Sequence, residues 1–126
     1  MRTYKTKGFT RFARREEITD DSLVAAIKRA EEGLIDADLG GGLIKQRIAR
    51  QGKGRSGGYR TIIAYRGKGR AVFLFGFAKS ERENISRDEL AYLRVVAEKW
   101  LSADAVRIHK ETEAGELEEI ENDKEN

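Results

Sequence analysis

The chain has 126 residues, with 25 Lys/Arg against 22 Asp/Glu, one histidine, no cysteine and a formal charge of +3. That length suits one domain able to bury a core unaided, and the missing cysteines exclude a disulfide framework and a Cys-based zinc site. No apolar run approaches the ~18 residues of a membrane span, and the opening MRTYKTKGF lacks the apolar stretch of a secretory signal, so a soluble, cytoplasmic protein is expected.

Taken in chain order, RTYKT alternates as a short strand. In GFTRFARREE, Phe9, Phe12 and Ala13 fall at helical spacing. Thr19 and Asp20 are cap candidates for a second helix, along which Leu23, Ile27, Ala30 and Leu34 recur every three or four residues and which Gly33 should stop. Beyond IDADLGGG, LIKQRIAR turns Ile44 and Ile48 inward and Lys45 and Arg47 outward, as a strand with one solvated face would. The eight residues QGKGRSGG separate it from YRTIIAYR, which is rich in β-branched and aromatic types, so the two read as an antiparallel hairpin with a long loop. Gly67 and Gly69 mark a turn, and AVFLFGFA is a continuous apolar run suited to a central strand buried on both faces.

The closing helix is the best-marked element. Ser86 and Glu89 form an S-x-x-E capping box, Ile85 and Leu90 occupy the positions of a hydrophobic staple, and Leu90, Leu93, Ala97, Trp100 and Leu101 make one apolar stripe. The order is that of an α+β protein: an antiparallel sheet meander, two N-terminal helices packed on one face, and a closing C-terminal helix, with one sheet face left to a ligand. Residues 1–103 are expected to form the domain. Residues 104–126, acidic and poor in large apolar side chains, are expected to form a disordered tail.

Charge is segregated along the chain. Residues 45–82 hold 11 Lys/Arg and one acid, Glu81, a net +10, whereas residues 111–126 hold eight acids and one lysine, Lys124, a net −7. A phosphate-binding P-loop is excluded, because GKGRSGG lies between two strands and no Lys-Ser/Thr pair follows its glycines. Taken alone it reads as a charged hairpin tip. With its neighbours it reads differently: Lys45, Arg47, Arg50, Lys53, Arg55, Arg60, Lys79 and Arg82 come from adjacent strands of one meander, and a polyanion is their natural partner.

Three segments, LIKQR, SGGYRTIIAY and FGFAKSERENI followed by the capped helix, resemble the RelE-type toxins of bacterial toxin-antitoxin pairs, closest to the HigB-like branch. The resemblance covers most of residues 1–101 in element order, with its specific motifs in 43–85. It implies a RelE-like fold and a ribonuclease that cuts messenger RNA in the ribosomal A site. It further implies a cognate antitoxin protein that covers the basic face or docks on the helices, and no metal or other cofactor.

The chemistry requires a deprotonated 2′-OH, a stabilised phosphorane and a protonated 5′-oxygen leaving group. His109 is the one histidine, so a paired-histidine ribonuclease is excluded, and the resemblance assigns the work to clustered Lys and Arg. Crowded cations depress a lysine pKa enough for it to act as a base, while arginine supplies fixed charge to phosphate oxygens. Lys45 and Arg47 match the family's paired basic positions, one near the 2′-OH and the other on the phosphate. Arg60 matches the arginine of its G-Y-R element and is given the transition-state phosphate, while Lys79 and Arg82 match the basic cluster ending the last strand.

Arg50, Lys53 and Arg55 are expected to contact RNA. Tyr59 is either a packed strand aromatic or a base-stacking ring. Ser80 and Ser86 stand where some relatives carry an arginine and a tyrosine that help the chemistry, and Ser86 is explained by its cap position. Two other functions fit the charge pattern less fully: a nucleic-acid-binding module without catalysis, and a gyrase-targeting toxin on the related fold. The acidic tail is read as solvated, with folding back over the basic face as the alternative.

Overall fold

The computed structural model describes residues 1–50 and 54–120, the stretch 54–56 by its backbone alone. Its elements are β1 (Arg2–Thr6), α1 (Lys7–Arg15), α2 (Asp20–Glu31), β2 (Ala37–Gly40), β3 (Leu43–Arg50), β4 (Gly54–Arg66), β5 (Arg70–Ala78), α3 (Arg87–Ser102), α4 (Ala105–Glu113) and β6 (Leu117–Ile120). The strands form one six-stranded sheet in the order β2-β3-β4-β5-β1-β6. The expected α+β architecture is present, and its meander β2 to β5 is antiparallel throughout. β1 adds a parallel pairing to β5, which makes the sheet mixed.

Both faces of the sheet are covered over much of their area. On one, Phe9, Phe12 and Ala13 of α1 and Leu23, Ala26, Ile27 and Ala30 of α2 bury against Ile44, Ile48, Tyr59, Ile63 and Phe73. On the other, Leu93, Ala97 and Trp100 of α3 and Ile108 of α4 bury against Tyr4, Leu43, Ile62, Ala64 and Val72. The expectation of a wholly available second face is therefore corrected: the apolar stripe of α3 needs a partner, and only the end of that face near Lys45, Arg47 and Arg60 remains for a ligand. The central strand β5, free of charged side chains from Ala71 to Ala78, serves both cores.

Local chemistry fixes the helix ends. Thr6, Thr19 and Ser86 accept backbone N–H groups as N-caps, and the Ser86–Glu89 capping box is complete. α2 stops in a Schellman arrangement, with Gly33 N donating to Ala30 O and Leu34 N to Arg29 O. Leu34 is thereby carried off the helix and left 59% exposed, so it does not extend the α2 stripe as its spacing suggested.

A β-bulge sets the phase of β5. Ile62 pairs with Phe75 but the next residue, Ile63, pairs with Phe73, so Leu74 is an extra residue. Strict alternation would put Phe73, Phe75 and Phe77 on one face. With the bulge, Phe73 packs under α1 while Phe75 follows Leu74 to the α3 side, where Phe77 pairs with Arg60.

Two further expectations are corrected. The eight-residue loop is shorter, because β4 begins at Gly54 and Gly58 lies within the strand. Gly58 faces a bulge between Ile48 and Arg50, where a Cβ would stand 2.2 Å from Ile48 O, so this glycine serves close backbone approach. The disordered tail is also overturned through Ile120: α4 is capped by Asp104, and β6 pairs antiparallel with β1. Ile108, Leu117 and Ile120 are few but all buried, because a preformed sheet edge receives them. Residues 121–126 lie outside the described residues.

A buried amide ties these parts together. Gln46, 0% exposed, donates to Ala26 O and Leu34 O and accepts from Asp36 N at 2.7 Å. Gln46→Leu leaves these buried groups without their partner, and chemical denaturation should show a loss of about 1–3 kcal/mol. An unchanged denaturation midpoint would contradict this role.

Candidate nucleic-acid interface

The register of three strands assembles the basic cluster. Gln46 faces α2, so its neighbours Lys45 and Arg47 project to the α3 side of the sheet, beside the same-face residue Leu43. Arg47 pairs directly across the β3–β4 ladder with Arg60, and Arg60 pairs across the β4–β5 ladder with Phe77. The adjacent row is Lys45, Ile62 and Phe75. Exposure falls stepwise inward: Arg47 is exposed, Lys45 half-buried and Arg60 8% exposed.

Two cations set directly opposite each other on neighbouring strands make a place where an anion is favoured. The burial of Arg60 strengthens the attraction for such an anion, since fewer waters screen it. The backbone at Arg47 is held where β3 runs beyond the end of β2: its N–H donates to Asp36 Oδ2 at 2.7 Å, and its carbonyl accepts from Arg29 at 2.6 Å. These two contacts hold the backbone of Arg47 on the stretch of β3 that β2 does not cover.

Lys79 lies just past β5, exposed, with its backbone N–H donating to Gly58 O at 3.0 Å, and so sits at the Arg60 end of the sheet. Arg82 is differently placed. Its Nε donates to Asn84 O, its two Nη groups bind the Glu89 carboxylate, and its guanidinium lies over the Phe75 and Phe77 rings at 5.9 and 5.3 Å. Glu89 also accepts from Ser86 N, so one carboxylate joins the loop after β5 to the first turn of α3.

The other expected contacts separate from this cluster. Tyr59, 4% exposed, packs edge-on against Phe12 beneath α1 and bonds Glu16 through its hydroxyl at 3.1 Å, which makes it a packed strand aromatic. Burial, then the Glu16 contact, pushes its phenol above the usual range. Arg50 lies over that ring, on the α1 side of the sheet rather than with Arg47 and Arg60. Lys53 and the side chain of Arg55 fall outside the described residues. Ser86 is the helix cap that its position indicated.

The acids of residues 116–119 do not cover the cluster. Glu116 pairs with Lys7, Glu118 with Lys5 and Glu119 with Arg2, all at the β1–β6 edge, opposite the β3 side of the sheet. Sequence reasoning missed Gln46, Asp36, Phe75, Phe77 and Glu89 as supports of the site. Gln46 was within reach, since a lone amide between inward-facing Ile44 and Ile48 must itself face the core.

The fold and site define a small α+β domain that sets cations from neighbouring strands together on one sheet face. A family model described as the RelE toxin of the RelE / RelB toxin-antitoxin system matches residues 1–120, and the chain belongs to this family. It is thus a toxin of a toxin-antitoxin system, with an antitoxin as its partner. No curated protein matches the chain significantly. No helix among the described residues is long and apolar enough to cross a membrane.

The Arg82 contact, followed by the Ser86 backbone N–H, lowers the Glu89 carboxyl from 4.5 to about 2. On acidification the unfolded chain takes up this proton first, so the contribution of Glu89 to stability is present above about pH 4.5 and declines as pH falls towards 2. Thermal melts between pH 2 and 7 should show a shallower acid-side decline for Glu89→Gln than for the wild type. Superimposable profiles would refute the linkage.

Proposed function

We propose that the protein is an endoribonuclease that cuts messenger RNA on the ribosome, in the A site, and so inhibits translation. Within the family it is assigned to the HigB-like branch, acting in the cytoplasm until its cognate antitoxin binds. The observation that carries this reading is the directly opposed Arg47–Arg60 pair, with Lys45 in the adjacent row on the same face.

In this reading Arg47 and Arg60 bracket the scissile phosphate, and Lys45 meets the 2′-OH. Lys45 accepts the 2′-OH proton and the 2′-oxygen attacks phosphorus in line, building charge that the two guanidinium groups stabilise. The P–O5′ bond then breaks and the leaving oxygen takes a proton from Lys79 or from water. The products are a 2′,3′-cyclic phosphate and a 5′-OH end. Arg82, neutralised by Glu89, is assigned a supporting role and takes no part in phosphate binding.

Arg60→Ala combined with Lys79→Ala should abolish growth arrest and lower the rate of message cleavage on programmed ribosomes by at least about 100-fold. The folded state is checked by an unchanged circular dichroism spectrum. Full cleavage by this variant would remove the site. Wild-type protein that binds RNA without generating new ends would favour a binding module, and inhibition of DNA supercoiling would favour a gyrase-directed toxin.

A further inference from the structure

A separate cavity of about 160 Å³ lies where β1, the start of β5 and α4 meet. Arg70 begins β5, whereas Phe77, the cross-strand partner of Arg60, lies near its end, so about 20 Å of strand divides this cavity from the Arg47–Arg60 pair. Its walls hold Tyr4 and Arg70 from the sheet and His109 from α4, together with the Arg2–Glu119 ion pair. Ile108, beside His109, is buried in one cluster with Tyr4 and Leu117, which sets this face of α4 against β1 and β6.

Two of these groups have unused capacity. Tyr4 is 3% exposed, yet its hydroxyl has no hydrogen-bond partner among the described residues. Burial, then the Glu119 carboxylate, holds its phenol above the usual range against the pull of Arg2 and Arg70, so it stays protonated and able to donate. Arg70 is half-buried and spends its Nη1 on Trp100 O and Ala103 O, each at 2.7 Å. Among the described residues no carboxylate pairs with it, and its Nε and Nη2 hydrogens remain to be used. Arg2, by contrast, has its charge matched by both oxygens of Glu119. A half-buried cation without a counter-charge, beside a buried hydroxyl that bonds nothing, is completed by an acceptor that carries negative charge.

The space limits the size of that acceptor. Sites for drug-sized ligands run from roughly 300 to 1,000 Å³, and a water molecule's share of liquid is about 30 Å³, so this cavity takes a group of a few heavy atoms and no nucleoside. We propose that it binds one small oxyanion, a phosphate or a carboxylate, held by the Arg70 guanidinium and the Tyr4 hydroxyl, with His109 closing the site from α4. The site is independent of the RNA-cleaving function proposed above. Its occupant bridges the sheet to α4 and stabilises the folded chain by mass action.

The test titrates the full chain with sodium phosphate or sodium acetate, ionic strength being held with sodium chloride, and follows thermal unfolding. Phosphate also stabilises folded proteins by exclusion from their surfaces, so the comparison with Tyr4→Phe decides. That change removes only a hydroxyl without a protein partner, and in chloride alone the variant should melt with the wild type. The wild-type midpoint should rise saturably with at least one of the two anions, and Tyr4→Phe should bind that anion roughly 10-fold more weakly. The same anion should move the amide resonances of Tyr4, Arg70 and His109, and which anion acts tells phosphate from carboxylate. An equal rise in both proteins, no saturable effect of either anion, or resonance shifts confined to residues 45–60 would overturn the site. So would a lower midpoint for Tyr4→Phe in chloride, which would show the hydroxyl already in use. None of these readouts involves RNA, so a failure of the endoribonuclease function leaves them unchanged.

Discussion

The register of β3 is the constraint from which the site follows. In a strand, a slip of one residue exchanges the two faces, and here it would drive Lys45 and Arg47 under α2 and expose Ile44 and Ile48. Apolar burial opposes that slip, and Gln46 opposes it with direction as well as energy. Its carboxamide finds a backbone donor at Asp36 and backbone acceptors at Ala26 and Leu34 only in one register. The group that orders the helix side of the sheet therefore also sets the cations on the other side.

A second constraint acts at the far end of the cluster. The β5 bulge divides three phenylalanines spaced two apart, so that Phe73 completes the α1 core while Phe75 and Phe77 support Arg82. Glu89 then joins that support to α3. Each device handles a charged group by the same rule: a cation near the core is given a carboxylate, a carbonyl or an aromatic face. Lys5, 7% exposed, follows it too, with Asp20 at 2.9 Å and Glu118 at 3.7 Å.

Much of the fold was legible because its signals are local. Caps, the α3 stripe, the LIKQRIAR alternation and the apolar run of β5 depend on neighbours within a few residues. The parallel place of β1, the pairing of β6 and the bulge in β5 depend on contacts between distant segments, which composition does not encode. The tail misled for a related reason: a segment with three buried apolar residues looks unable to fold until one knows that an open strand edge awaits it. At the site, Lys45, Arg47 and Arg60 were brought together as their strands implied. Tyr59 and Arg50 separated from them because alternation sends neighbouring residues to opposite faces, and Arg82 found a carboxylate seven positions on.

The position of β1 also bears on how such a protein is made. Its two neighbours in the sheet are residues 70–73 and 117–120, and among the described residues Arg2, Lys5 and Lys7 meet carboxylates in residues 116–119 and at Asp20. During synthesis this first strand has no sheet edge to join until β5 has emerged, and its second edge stays open until β6 follows. Native closure of the sheet thus waits for residue 120, and until then the strand order is incomplete.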